Sequence, residues 1–248
     1  MEHQGRTALV TGAAGAIGSA AVDVLVSAGA HVIILDVDGP ALETLCGAHG
    51  DAVTRCVVDL SDHPATRDAV QAALAAAPGN AIDILVNNAG ILSNRKLAAT
   101  TLEEWHKVHT INLDAAFVLT QALAPAMAQS GWGRIVNIVS YAAKCGGLTA
   151  GTAYSVSKSG LIGLTFSAAR EFAGQGVTVN ALAPAYVMSP MVSDQLTAEE
   201  RDALLRDIPV HRFCEPDEVA NAIAFLASAK SGFITGEVLD MNGGLQFD

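Results

Sequence analysis

Basic residues are scarce in this chain: 248 residues include 14 Lys and Arg against 25 Asp and Glu, a net charge of −11. No basic patch is available to neutralise phosphates, which argues against a nucleic-acid partner. An anionic small molecule stays admissible, because backbone amides at a helix N-terminus hold anions without basic side chains. Charge of either sign is thin, at 16% of residues beside 51% apolar, and describes a compact, ordered protein. Cysteine is limited to Cys46, Cys56, Cys145 and Cys214. Their spacing is neither CxxC nor metal-like, so buried thiols in a reduced, cytoplasmic protein are expected rather than disulfides. The histidines offer no metal set either: His106 and His109 share a helix face but lack a third ligand. No signal-peptide core precedes Arg6 and no run approaches membrane-spanning length, so no membrane attachment is expected. With no linker, low-complexity tract or internal repeat, a single domain over residues 1–248 suffices.

What the chain does have is alternation. Short apolar runs over residues 7–11, 31–36, 52–58, 82–86, 133–139, 177–182 and 237–241 alternate with helical stretches. Those cover 17–28, 40–46, 63–76, a pair over 102–129, 153–173 and one that starts at Glu215. Strands apolar throughout and separated by helices imply a parallel sheet covered on both faces. Seven of them predict an α/β, doubly wound sheet of the Rossmann type. Residues 188–210 break the rhythm, with prolines near both ends and a charged helical middle, and read as a substrate flap.

The first turn, Thr11-Gly12-Ala13-Ala14-Gly15-Ala16-Ile17-Gly18, lies between a strand and a helix, where glycines let backbone approach a pyrophosphate. Asp36 ends the second strand, where a carboxylate accepts hydrogen bonds from an adenosine ribose and repels a 2′-phosphate. Neither Gly15 nor Val37 supplies the positive charge that a phosphorylated ribose needs, so NAD is expected rather than NADP. Further on, Tyr154 and Lys158 stand four residues apart on one helix face. A cation beside a phenol lowers the cost of phenolate, which suits acid/base work near neutral pH.

Together these residues resemble the short-chain dehydrogenase/reductase family, in its single-domain branch of this length, from Thr11 to Gly244. The resemblance implies cofactor contacts at Gly12, Gly15, Ile17, Gly18, Asp36 and Leu60, with Asp59 at the adenine. It implies further contacts at Asn88, Ala89 and Gly90 of the Asn87-Asn88-Ala89-Gly90 stretch, and at Pro184, Val187 and Ser189 around the carboxamide. The implied catalytic set is Asn112, Ser140, Tyr154 and Lys158. Hydride transfer develops negative charge on the substrate oxygen, so Tyr154 is the expected proton partner and Ser140 the second donor. By the same resemblance Lys158 lowers the Tyr154 pKa and binds the nicotinamide ribose, and Asn112 holds a water that links Lys158 to solvent. Three positions depart from the family pattern. Ala16 takes a glycine slot, Pro184-Ala185 replaces Pro-Gly, and Asn242 stands where Asp often precedes the last glycine pair.

Tyr141, Lys144, Cys145, Tyr186, Met188 and Met191 are expected to line the substrate pocket by their position after Ser140 or around the flap. Their apolar and aromatic character points to a hydrophobic ketone or secondary alcohol, aromatic or alicyclic. The expected activity is an NAD(H)-dependent interconversion of a secondary alcohol and its ketone, with no metal. The chain also resembles 3-oxoacyl-[acyl-carrier-protein] reductases. Asp36 and the negative charge argue against that activity, while Arg95, Lys96, Arg201, Arg206 and Arg212 could form a local basic patch for an acidic carrier. The resemblance further implies a homotetramer, built through the helices over 113–129 and 153–173 and the last strand.

Overall fold

A computed structural model describes residues 2–189 and 197–247. Seven parallel strands make one sheet: β1 (Thr7–Thr11), β2 (His31–Asp36), β3 (Val53–Val57), β4 (Ile84–Asn87), β5 (Gly133–Ile138), β6 (Val177–Pro184) and β7 (Val238–Met241). Their order is β3-β2-β1-β4-β5-β6-β7. The period of two decides which core each strand residue joins. Ala8, Val10, Val32, Ile34 and Val86 face one layer, while Leu9, Ile33, Leu35 and Leu85 face the other. Because both faces are covered, β1, β4, β5 and β6 are buried along their whole lengths.

The helices are α1 (Ala16–Ser27), α2 (Gly39–His49), α3 (His63–Ala76), α4 (Leu102–His109), α5 (Ala115–Ser130), α6 (Ala142–Cys145), α7 (Thr152–Phe172), α8 (Ala198–Asp207) and α9 (Pro216–Ala227). Helices α1 and α9 pack together on the first layer, and α3, α5 and α7 cover the second. The starts of α2 and α3 follow one rule, in which Asp38 and Asp62 accept from the amides of Ala41 and Ala65 and a proline occupies the first turn.

The expected pair over 102–129 is one continuous element. A single π turn, Thr110–Asp114, joins α4 to α5. The resulting helix, Leu102–Ser130, has 29 residues and contains an 18-residue window of mean hydropathy 1.3, long and apolar enough to cross a membrane by length and composition. It is thus a longer apolar element than the sequence reading allowed. Half of its apolar window is buried inside the fold, against neighbours that include α3 and α7.

In the flap, Thr197 and Glu200 form a reciprocal capping box that starts α8. Met191 lies outside the described residues. The chain leaves the adjacent strands β1 and β4 toward opposite edges of the sheet, and this reversal opens a crevice at their C-terminal ends.

Candidate active site

The crevice is a groove of about 530 Å³. At one end lies the turn from β1 into α1. Gly12 has φ +63°, and a side chain there would strike the Ala89 backbone at 2.9 Å. Gly18 lies against the same turn from inside α1, where a methyl would sit 2.0 Å from the Gly12 carbonyl. Gly18 is accordingly absent from the groove lining, and its part is to let helix and turn close up. The first turn of α1 has neither a side-chain cap nor an acidic residue. It opens onto the groove beside Gly12, Ala14, Gly15, Ala16 and Ile17. Free amides at a helix N-terminus, with backbone bare enough to approach, fit a pyrophosphate.

Asp36 lines the same groove. One of its oxygens accepts from Ala14 N at 3.0 Å and the other from Asp38 N at 3.1 Å. Asp38 is a second carboxylate in the lining, and among the described lining residues the one cation is Lys158. Asn88, Ala89 and Gly90 form the opposite wall. The Asn88 amide donates to the Thr11 and Gly12 carbonyls, both at 3.0 Å, and Thr11 Oγ1 accepts from the amides of Asn88 and Ala89. The end of β4 is thereby stitched to the glycine turn. Pro184, Ala185, Val187 and Ser189 complete the lining. Ala185 is not among the residues with positive φ, so alanine occupies this position without backbone strain. Two further expected cofactor contacts lie outside the lining. Asp59 is exposed and accepts from Ser61 N, and Leu60 is buried in the core.

Ser140 follows β5, and α7 presents Tyr154 and Lys158 one turn apart. Tyr154 bonds the Ser140 hydroxyl. Lys158 is 3% exposed, donates to the Ile138 carbonyl at 2.7 Å and stands 5.9 Å from the Tyr154 ring centre. Burial drives its pKa down from 10.5 to about 8. Burial also raises the Tyr154 pKa, against a downward pull from the bond to Ser140. The sequence reading expected Lys158 to depress the phenol. Desolvation outweighs the pull of Ser140 and holds Tyr154 as a neutral acid.

Asn112 lies in the π turn, 1% exposed. Its oxygen accepts from Ile91 N at 2.8 Å, and its amide donates to the Ile91 carbonyl at 3.0 Å and to Ser157 Oγ at 3.1 Å. The side chain braces the strand end beyond β4 against α7. It does stay beside Lys158, since a methyl on Gly90 would touch both Asn112 Oδ1 and Lys158 Nζ at 3.3 Å.

A smaller cavity of about 310 Å³ adjoins the groove. Ser140, Tyr154 and Ala185 line both spaces. The expected Tyr141, Cys145 and Tyr186 belong to this cavity. Lys144 points away and pairs with Asp240 at 2.6 Å, because the turn of α6 carries it toward β7. Met188 is 41% exposed and lines neither space. Sequence reasoning missed Leu92 and Asn94 after β4, Leu148 to Ala150 before α7, and Glu200 of α8. Only the flap position of Glu200 was a signal, since the two loops meet through topology rather than through any motif. No group of three His, Cys, Asp or Glu that could hold a metal occurs among the described residues.

The family profile described as Enoyl-(Acyl carrier protein) reductase matches residues 12–246. A Rickettsia conorii 3-oxoacyl-[acyl-carrier-protein] reductase is 39% identical over 242 residues, 97% of each chain. Among solved structures, a 3-oxoacyl-[acyl-carrier protein] reductase of Brucella melitensis superposes with TM-score 0.92 at 31% identity, over 100% of this chain and 93% of that one. A Beutenbergia cavernae protein assigned as an NAD(P)-dependent gluconate 5-dehydrogenase, with NADP bound at low occupancy, superposes with TM-score 0.89 at 36% identity, over 98% and 97%.

Proposed function

Because this chain belongs to the short-chain dehydrogenase/reductase family, we propose that it reduces the 3-oxo group of an acyl thioester to a hydroxyl, with NADH as reductant. The observation that carries the thioester is the end-to-end likeness to 3-oxoacyl-[acyl-carrier-protein] reductases. It displaces the free ketone as first choice. An acidic carrier is less favoured than a small thioester, because the expected basic patch is largely spoken for. Arg95 pairs with Glu104, Lys96 donates to backbone carbonyls, and Arg212 grips Glu218.

The nicotinamide, when bound, supplies the hydride that reaches the carbonyl carbon. This chain's own residues manage the oxygen. Tyr154, held neutral by burial, gives its proton to the oxygen as negative charge develops there, and Ser140 donates to the same atom. Lys158 stabilises the tyrosinate that remains. Carbonyl, hydride and phenolic proton sum to the secondary alcohol, and solvent reprotonates the tyrosine. Tyr154→Phe should fold and bind NADH while turnover falls about a thousandfold; near-normal turnover would remove Tyr154 from this role.

NADH is preferred over NADPH because two carboxylates, Asp36 and Asp38, occupy the end of the groove where a 2′-phosphate would need a cation. Rates with acetoacetyl-CoA and with a panel of apolar ketones, each with NADH and NADPH, test both parts. Faster turnover of the ketones would restore the second reading, a secondary-alcohol dehydrogenase, which the apolar wall of Leu92, Tyr141, Leu148 and Tyr186 favours. An NADPH preference would overturn the cofactor assignment. We also propose a homotetramer, supported by Phe117 of α5 and Phe166 of α7, which are 47% and 49% exposed in the single chain. A monomeric mass by light scattering would refute it.

A further inference from the structure

Two loops wall the smaller cavity, one after β4 and one before α7, and a single side chain binds the tip of one to the other. Lys96 Nζ donates to the carbonyls of Gly147 at 2.7 Å, Leu148 at 3.0 Å and Ala150 at 2.6 Å. An ammonium has three donors and no acceptor. The three carbonyls therefore use its whole capacity, and they approach it much as carbonyl oxygens replace the hydration shell of a potassium ion.

What the lysine holds is part of the substrate space. Leu148 and Ala150 line the cavity, and Thr149 between them bonds the Tyr186 phenol across it. The base of the same loop is fastened separately, by Gly151 N to the Ser93 carbonyl at 2.6 Å and Thr152 N to the Arg95 carbonyl at 3.0 Å. Contact there is tight, since a methyl on Gly151 would lie 2.4 Å from the Arg95 oxygen. Lys96 itself lines neither space. Without its charge, three converging carbonyls would be left to water, which cannot tie them to one point, and the loop tip would be free to move away from the cavity.

We infer that Lys96 is a positioning residue for the carbonyl substrate: its ammonium gathers the 147, 148 and 150 carbonyls and so fixes the wall against which the non-reacting part of the substrate rests. The inference needs the family's carbonyl chemistry but not the thioester.

Lys96→Met tests it by steady-state kinetics with acetoacetyl-CoA. If the native protein does not turn over the thioester, which sinks the thioester reading alone, the best ketone of the panel is used instead. KM for the carbonyl substrate should rise about tenfold, while kcat and KM for NADH stay within about twofold. Ammonium chloride should restore KM where sodium chloride at equal ionic strength does not, because ammonium can occupy the vacated carbonyl trio. Lys96→Arg should show the same defect, since a planar guanidinium cannot aim three donors at converging carbonyls from one nitrogen. An unchanged KM for the carbonyl substrate in Lys96→Met would overturn the inference. So would an equal rise in KM for NADH, or a defect that ammonium leaves untouched. Should Lys96→Met not fold, Lys96→Gln is measured in the same way, and a native KM there overturns the inference. Failure of both variants to fold does the same, in favour of a folding role.

Discussion

Lys158 is a cation buried without a carboxylate among its bonded partners, a state that protein interiors disfavour. The fall in its pKa from 10.5 to about 8 corresponds to a folding cost on the order of 3 kcal/mol at neutral pH. Lys158→Met should thus melt at a higher temperature than the native protein while losing nearly all turnover, a trade seen where activity depends on a strained group. Calorimetry beside an NADH assay checks both halves, and a lower melting temperature would show that the bond to Ile138 outweighs the burial. That Tyr154, Lys158, Ser140 and Asn112 lie together was legible in the sequence, because the proposed chemistry needs those residue types at those elements. What spacing could not reveal was their state. Whether the Tyr154 pKa is raised or lowered depends on desolvation against the bond to Ser140, and burial is set by the whole fold rather than by the Tyr-to-Lys interval.

At the scale of elements, the strands were legible nearly to the residue, since runs such as His31–Asp36 are apolar on both faces and admit few other readings. The π turn was not. Periodicity places Asn112 in a helix, but the extra residue that joins α4 to α5 leaves no mark in the apolar pattern. The loops over 91–96 and 146–151 were hidden for a different reason: they are close only because β4 and β5 are neighbours in the sheet, and no residue in either announces the other. The docking of α1 onto β1 offers the sharpest test at this scale. Gly18→Ala would place a methyl 2.0 Å from the Gly12 carbonyl, so the helix must shift off the glycine turn at a cost of about 3 kcal/mol. Both the denaturation midpoint and NADH affinity should fall together. Gly15→Ala, where the new methyl meets only the Gly12 carbonyl at 3.4 Å, should leave the midpoint almost unchanged.

Across the whole molecule, acid should weaken the fold before carboxylates begin to titrate. His3 is 1% exposed, its Nε2 has no hydrogen-bond partner, and burial pushes its pKa down despite Glu2 nearby and a bond to the Ala224 carbonyl. Burial does the same to His31, which bonds Thr54 across β2 and β3. As pH falls, the unfolded chain takes up these protons first. Their contribution is complete above about pH 6.5 and is lost as pH drops below that value. Urea midpoints on either side of it should show the decline, and His3→Gln should flatten it. The two spaces that meet at Ser140 and Tyr154 have one more consequence. In the proposed reaction two hydroxyls at their junction pin the substrate oxygen, and the smaller cavity receives the bulk of the molecule. The two faces of a prochiral carbonyl are therefore not interchangeable, and the alcohol formed should be of a single handedness.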